Sequence, residues 1–374
     1  MARKSAWEAL NITLSCCDGD MIIIDGSLME GGGQMLRTAL ALSALTGRPF
    51  QAVNIRRNRP RPGLKAQHIC GIQALDQLSG VRTNGARPGA EALSFFPGKI
   101  TPQTLCLDIG TAGSISLLLQ CLLIPCMFAD DAILLQITGG TDVRWSMPMD
   151  YLSHIVLPHF EALAEIELKV LCRGFYPRGQ GKVEIKIQPR IRKSDFAAFE
   201  GFIDHLRTRI PPVDLASPAI VDRICGISVA TENLRQADVA ARQAVGVHQA
   251  LERFYSVHIQ ESYVQSASTG TVITLWAAGG RGFPGIGADA LGEKGVRAEA
   301  VGQSAARKLR ERLASKASVD EHLADNLIPL MALLGGTIRI SGLTEHIRAN
   351  IHVCEKFIDT RFQFDENQKI ITVS

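Results

Sequence analysis

The chain carries almost no net charge: 40 lysines and arginines stand against 37 acids, a formal balance of +3. An excess that small excludes a nucleic-acid binder whose attraction is spread over the whole surface, so any phosphate chemistry has to be local. The longest apolar stretch, SLLLQCLLIPCMFADDAILL, is broken by Gln120, Asp130 and Asp131, which argues against a membrane span and a membrane partner. No apolar h-region follows the basic start MARKSAWEALNITLSCC, so an export signal is not expected. The nine cysteines include no C-x-x-C pair and lack the dense spacing of a stapled secreted domain; they read as reduced thiols in a cytoplasmic protein. Nor does G-x-x-x-x-G-K-[ST] occur, which removes the P-loop.

What is present is enough apolar material for a sizeable core: 46% hydrophobic and 21% charged residues over 374 positions, a chain of about two domains. Strand and helix patterns recur three times. The first unit runs from MIIID through QMLRTALALSAL and FQAVNI to a helix expected from about Pro62 to Leu78. The second runs from LCLDI through GSISLLLQCLLIPCMF, AILLQIT and DYLSHIVLPHFEALAEI to LKVLC. The third holds HLADNLIPLMALL, TIRIS, EHIRANIHVCEKFI and the closing FQFD and IITVS. Leu323, Leu327, Leu330 and Leu334, then Ile347, Ile351, Cys354 and Ile358, form apolar stripes that predict one packed face on each helix. These features predict an extension at 1–20, a large domain from 21–200 and 318–374, and a more charged insert at 201–317.

Several motifs could carry chemistry. Glu30-Gly31-Gly32-Gly33-Gln34 stands between a strand and a helix, where it is either a tight turn or an anion site beside the positive helix end, with Glu30 then placed to hold a cation. RRNRPRPGLK groups Arg56, Arg57, Arg59, Arg61 and Lys65 without an acid, either as a solvated loop or as a phosphate grip. At helical spacing Arg61, Lys65 and His68 share a face with Ile72 and Leu75, which would aim the cations into a cleft. Gln120 interrupts an apolar helix and needs partners. His346 follows the cap Thr344 and the first-turn acid Glu345; beside the positive end of a helix an imidazole is kept neutral, as a nucleophile on phosphorus must be. His322, near Asp325 and Asn326, either contacts a ligand or caps its helix.

Together, DGSLMEGGGQMLRTALALS, IRRNRPRPGLKAQH, GTAGSISLLLQ, GGTDVRWSMP, RGFYPRGQGKV, GEKGVRAE, HLADNLIPLMAL and LTEHIRANI make the chain resemble the RNA 3′-terminal phosphate cyclases. The resemblance implies an α+β fold of sandwich-like character, with three units of two helices on a four-stranded sheet and a smaller thioredoxin-like α/β insert. It implies an ATP-dependent ligase acting on RNA that ends in a 3′-phosphate, through a histidyl-AMP intermediate, with Mg²⁺ or Mn²⁺, to give a 2′,3′-cyclic phosphate. By the same resemblance His346 is the nucleophile and Glu30 the metal carboxylate. Gln120, Pro148, His322, Asp325, Asn326, Arg37, Arg56, Arg59, Gln67 and His68 then surround the nucleotide or the RNA phosphates.

Gln180 replaces a glycine of the family's RGxxPxGGG signature, which leaves that turn's shape open, and Asn326 stands where glutamine is commoner. Two other readings are a non-catalytic cyclase-like protein of ribosome assembly, against which His346 and EGGGQ argue, and an enolpyruvyl-transferase-like enzyme, which three repeats disfavour. The oligomeric state stays open, a homodimer included.

Overall fold

The computed structural model describes residues 21–29, 32–218, 221–279 and 285–373. The leader 1–20, Glu30 and the middle of the GGRGFPGIG loop, 280–284, lie outside the described residues. Among the described residues no helix is long and apolar enough to cross a membrane, and the cysteines are all free.

The first unit consists of β1 (Ile22–Asp25), α1 (Gln34–Thr46), β2 (Phe50–Val53), α2 (Ala66–Ser79), β3 (Arg82–Asn84) and β4 (Leu93–Phe96). β1 and β2 are parallel neighbours, and β2, β4 and β3 follow antiparallel. Parallel neighbours need a crossover, and α1 supplies it. The second unit repeats the plan with β5 (Thr104–Asp108), α3 (Ile115–Cys126), β6 (Ile133–Gly139), α4 (Met149–Tyr151), β7 (Ala164–Cys172) and β8 (Gly181–Pro189), in the order β5-β6-β8-β7. Here α4 runs on as looser helical turns to Phe160. The segment AEI, expected at the end of this helix, belongs to β7 instead.

Next come α5 (Phe199–Arg209) and β9 (Val213–Leu215), and then the insert, β10 (Arg223–Thr231), α6 (Val239–Leu251), β11 (Ser256–Val264), β12 (Thr271–Ala278), β13 (Gly287–Leu291) and α7 (Ala298–Ala314). The chain closes with α8 (Glu321–Leu334), β14 (Gly336–Arg339), α9 (Glu345–Phe357), β15 (Phe362–Asp365) and β16 (Ile370–Val373). Here the expected boundary shifts. β9 pairs in parallel with β14, giving a third sheet of order β15-β16-β14-β9, and Phe202, Ile203 and Leu206 of α5 are buried in the same core as the three units. Residues 201–215 therefore complete the third unit, and the insert's own sheet, β11-β10-β12-β13, begins at Arg223. The short β9 has no apolar alternation long enough to announce a strand; pairing with β14 creates it.

One apolar cluster runs through all three units, and a second fills the insert under α6 and α7. The leucine stripe of α8 is buried throughout; each such side chain contributes about 1.5–3 kcal/mol. Ile347, Cys354 and Ile358 of the α9 stripe are likewise buried and Ile351 is half-buried. At the centre lies α1, all of whose residues are buried, packed against α3 and α9. A glycine with φ +78° ends it; this left-handed position carries no penalty in the absence of a Cβ.

The insert enters between β9 and α8, so it is delivered to the N-terminal end of α8. There Asp320 caps α8, accepting from the backbone N–H of His322 and Leu323 at 2.9 and 3.1 Å. Its other oxygen accepts from Gly287 N–H of β13 at 2.7 Å. Arg312 of α7 pairs with Glu321 of α8. The insert is thus fixed to the helix that carries His322, Asp325 and Asn326.

Candidate active site

The N-terminal turns of α1, α8 and α9, the body of α3, the loop after β6 and one face of the insert's α7 enclose a cavity of about 630 Å³. Its wall includes Arg37, Gln120, His322, Asp325, Asn326 and His346. These six sequence-predicted residues come from three different units, and the fold brings them together.

A hydrogen-bonded chain holds them. Arg37 donates through Nε to Gln120 Oε1 at 2.8 Å and through Nη2 to Gln34 Oε1. Gln120 Nε2 donates to Asn326 Oδ1 at 3.2 Å, and Asn326 Nδ2 to the carbonyl of His322 at 2.7 Å. From the other side Asn350 accepts from Gln34 Nε2 and Thr38 Oγ1 at 3.2 and 2.6 Å and donates to the carbonyl of Asp325 at 2.8 Å. Gln120 thus has the partners a buried amide requires. Arg37 is 8% exposed, and its guanidinium, held by the amide oxygens of Gln120 and Gln34, borders the cavity. His322 packs edge-on against Tyr151, ring centroids 5.8 Å apart.

His346 occupies the second position of α9, whose cap forms as expected: Thr344 Oγ1 accepts from Ile347 N–H at 3.1 Å. The imidazole therefore borders the cavity at the positive end of the helix.

His68 adjoins this wall from behind. It is buried, its Nδ1 accepts from Lys65 N–H at 3.0 Å, and its pKa is pushed down to about 3 by burial, reinforced by Arg37, Arg56 and Lys65. With Nδ1 an acceptor, the proton of the neutral ring sits on Nε2, which has no hydrogen-bond partner among the described residues. Gly33 makes room for this edge: a Cβ there would lie 2.6 Å from His68 Nε2 and 3.0 Å from Arg37 Nη1. Gln67 Oε1 accepts from Ser114 N–H at 3.3 Å.

The remaining expectations divide. α2 starts at Ala66, so Lys65 precedes it and Arg61 lies in the preceding turn; the common helical face expected for Arg61, Lys65 and His68 is reduced to His68, Ile72 and Leu75. Gly63, at φ +76°, is in the left-handed region and stops the helix from reaching back to Pro62. Arg56 has φ +57° and donates to the carbonyls of Arg61 and Gly63, while Arg59 is exposed on the same turn and does not border the cavity. Pro148 is buried at the N-cap of α4, next to the cavity-lining Met147. Gln180 has φ +57°, so the signature turn adopts a left-handed shape at this position despite its side chain. That signature is a brace: Arg173 bridges Asp142 and Asp150, and Phe175 packs on Val229 and Val272 of the insert.

Sequence reasoning missed Gln34 as a site residue, Asn350, and the insert's Asp289, Lys308 and Arg312. Asn350 had a signal, since it lies one helical turn beyond His346 among apolar positions; the insert residues had none.

A family model described as RNA 3′-terminal phosphate cyclase matches residues 28–364. Proteins named RNA 3′-terminal phosphate cyclase from Thermococcus onnurineus and Methanosarcina mazei are each 42% identical to the chain, over 92% and 95% of its length and 96% and 99% of their own. One of the same name from Pyrococcus furiosus is 41% identical over 92% of the chain and 95% of its own length. With the cavity above and a match over nearly its whole length, the chain belongs to the RNA 3′-terminal phosphate cyclase family.

Proposed function

We propose that this protein is an ATP-dependent cyclase of RNA 3′-phosphate ends and that His346 is its nucleophile. The observation that carries the reading is that His346, on a capped helix N-terminus, borders one cavity with Arg37, Gln120, Asp325 and Asn326. An imidazole nitrogen attacks the α-phosphorus of ATP, forming an N–P bond and expelling pyrophosphate. An oxygen of the RNA 3′-phosphate then attacks that phosphorus and displaces the imidazole, so that AMP passes to the RNA. The neighbouring 2′-hydroxyl attacks the activated RNA phosphorus, loses its proton to solvent, and expels AMP as the ring closes. Transfer of AMP turns a poor leaving group on the RNA phosphate into a good one, and the covalent intermediate divides the task into easier steps.

In this reading Arg37 and the Nε2–H of His68 neutralise and orient phosphate oxygens, and His322 and Pro148 flank the adenine, with Asp325 and Asn326 at its edge. Arg56, Arg59 and Gln67 contribute to phosphate binding from the side of α2. The cavity's acids and amides are oxygen donors, which suits Mg²⁺ or Mn²⁺, and Glu30 is the carboxylate that would help to hold such an ion. When bound, that ion supplies positive charge against the crowded phosphates.

Incubation with α-labelled ATP and Mg²⁺ or Mn²⁺ is expected to leave acid-labile, alkali-stable label on the protein, and His346→Ala to abolish it. RNA ending in 3′-phosphate is expected to become phosphatase-resistant. Undiminished labelling of the variant would remove His346 as nucleophile; folded protein that leaves the RNA phosphatase-sensitive would remove the activity.

A further inference from the structure

Trp145 is 93% exposed although it is one of the largest apolar side chains in the molecule. It lines the same cavity as His346 and Arg37. Its backbone has φ +65°, a left-handed conformation that costs an aromatic residue about 1–3 kcal/mol and persists only where its surroundings impose it. Those surroundings are visible on both sides of it. Asp142 is held by Arg173, the neighbouring Val143 is buried, and Ser146 Oγ donates back to the carbonyl of Val143 at 3.0 Å. Beyond it Met147 is buried and its carbonyl accepts from Ser116 Oγ at 2.7 Å. The loop is pinned at each end while its tip holds an indole out in water.

An exposed indole contributes nothing to the core. Combined with an imposed unfavourable backbone at the rim of a phosphate-binding cavity, it is a platform arranged before its ligand arrives. A nucleotide that enters whole is enclosed deeper, by groups such as His322, which is itself packed against buried Tyr151. A polymer end cannot be enclosed: its chain must leave through the mouth, where Trp145 stands.

Resting on the reading above, we propose that Trp145 stacks on the base of the 3′-terminal nucleotide of the RNA and so positions the terminal phosphate and 2′-hydroxyl at the cavity. Every base has a π-face, so such a platform accepts any terminal base and accommodates RNA ends of varied sequence.

A cycle of two deletions tests this. Cyclisation is measured for wild type, Trp145→Ala and Trp145→Phe with a short RNA 3′-phosphate and with the same RNA ending in a base-free anhydroribitol that keeps its 2′-hydroxyl. Stacking on one base is worth about 1–3 kcal/mol, so Trp145→Ala is expected to raise KM for the intact RNA about 5- to 150-fold. Removing the base is expected to do the same in wild type but to change the Ala variant less than twofold, and Trp145→Phe is expected to restore most of the loss. Equal losses on base removal in wild type and Ala variant would overturn the proposal. So would a loss confined to KM for ATP in labelling of the protein, which would make Trp145 an adenine platform. Absence of cyclisation by wild type with either RNA would instead bring down the cyclase reading, and the platform with it.

Discussion

Replacing Arg173 by methionine removes the cation that bridges two buried carboxyls and keeps most of its bulk. Arg173 is 9% exposed, Asp142 1% and Asp150 6%. The guanidinium reaches both oxygens of Asp142 at 3.2 and 3.3 Å and Oδ1 of Asp150 at 2.7 Å. Burial opposes its charge, but the two carboxyls raise its pKa further above the ordinary arginine value; burial in turn pushes the Asp142 carboxyl up, against the pull of Arg173. Breaking such a cluster by deleting one partner costs about 3–5 kcal/mol, roughly 150- to 5,000-fold in the ratio of folded to unfolded chain. Thermal unfolding of Arg173→Met at neutral pH is therefore expected to fall by several degrees. The sign of its pH dependence follows: once the cation is gone the buried Asp142 carboxyl holds its proton more tightly in the folded chain than in the unfolded one, so acidification toward pH 5 is expected to narrow the gap to wild type. Adding Asp142→Asn and Asp150→Asn is expected to recover much of the loss at neutral pH. An Arg173→Met protein as stable as wild type at pH 7, or one whose deficit grows on acidification, would refute the account of the triad.

Two further expectations concern the wall behind Arg37. His68 is neutral in folded and unfolded chain above pH 6.5; between 6.5 and about 3 the unfolded chain is protonated and the folded ring is not, so stability is lost on acidification by up to about 1.4 kcal/mol per pH unit. Melting curves from pH 7 to 4.5 are expected to be less steep in pH for His68→Gln, and identical slopes would contradict this. Gly33→Ala puts a methyl 2.6 Å from His68 Nε2 and 3.0 Å from Arg37 Nη1. Overpacking of this kind costs about 1–3 kcal/mol, and labelling of the protein by ATP is expected to fall at least tenfold under conditions where the variant is folded; full labelling would show that the crowding relaxes without consequence.

Much of the fold was legible because it repeats: the apolar stripes of α8 and α9 and the strand–helix alternation of units one and two needed only periodicity. β9 escaped notice because three residues, Val213–Leu215, carry no period, and the boundary of the insert moved with it. His346 and its cap were readable from Thr344 and Glu345, since capping is a local matter of a few residues. Gln120 was marked by being polar in an apolar helix. The partners that give Arg37 its place, Gln34 and Asn350, are ordinary amides whose meaning depends on α1 meeting α9, and that meeting is tertiary. For the same reason nothing in KLRERLA announced that Lys308 and Arg312 face the cavity.

The complete burial of α1 has an evolutionary consequence. A helix with one face in water offers positions where changes are neutral, so stability can drift and be restored without touching function. α1 has no such face: toward its C-terminal end a substitution disturbs the core, and at its first turn it disturbs Gln34 and Arg37. Adaptation of this protein to temperature or solvent must therefore be carried by other elements, such as the exposed faces of α5, α6 and α7, while α1 changes only together with its neighbours.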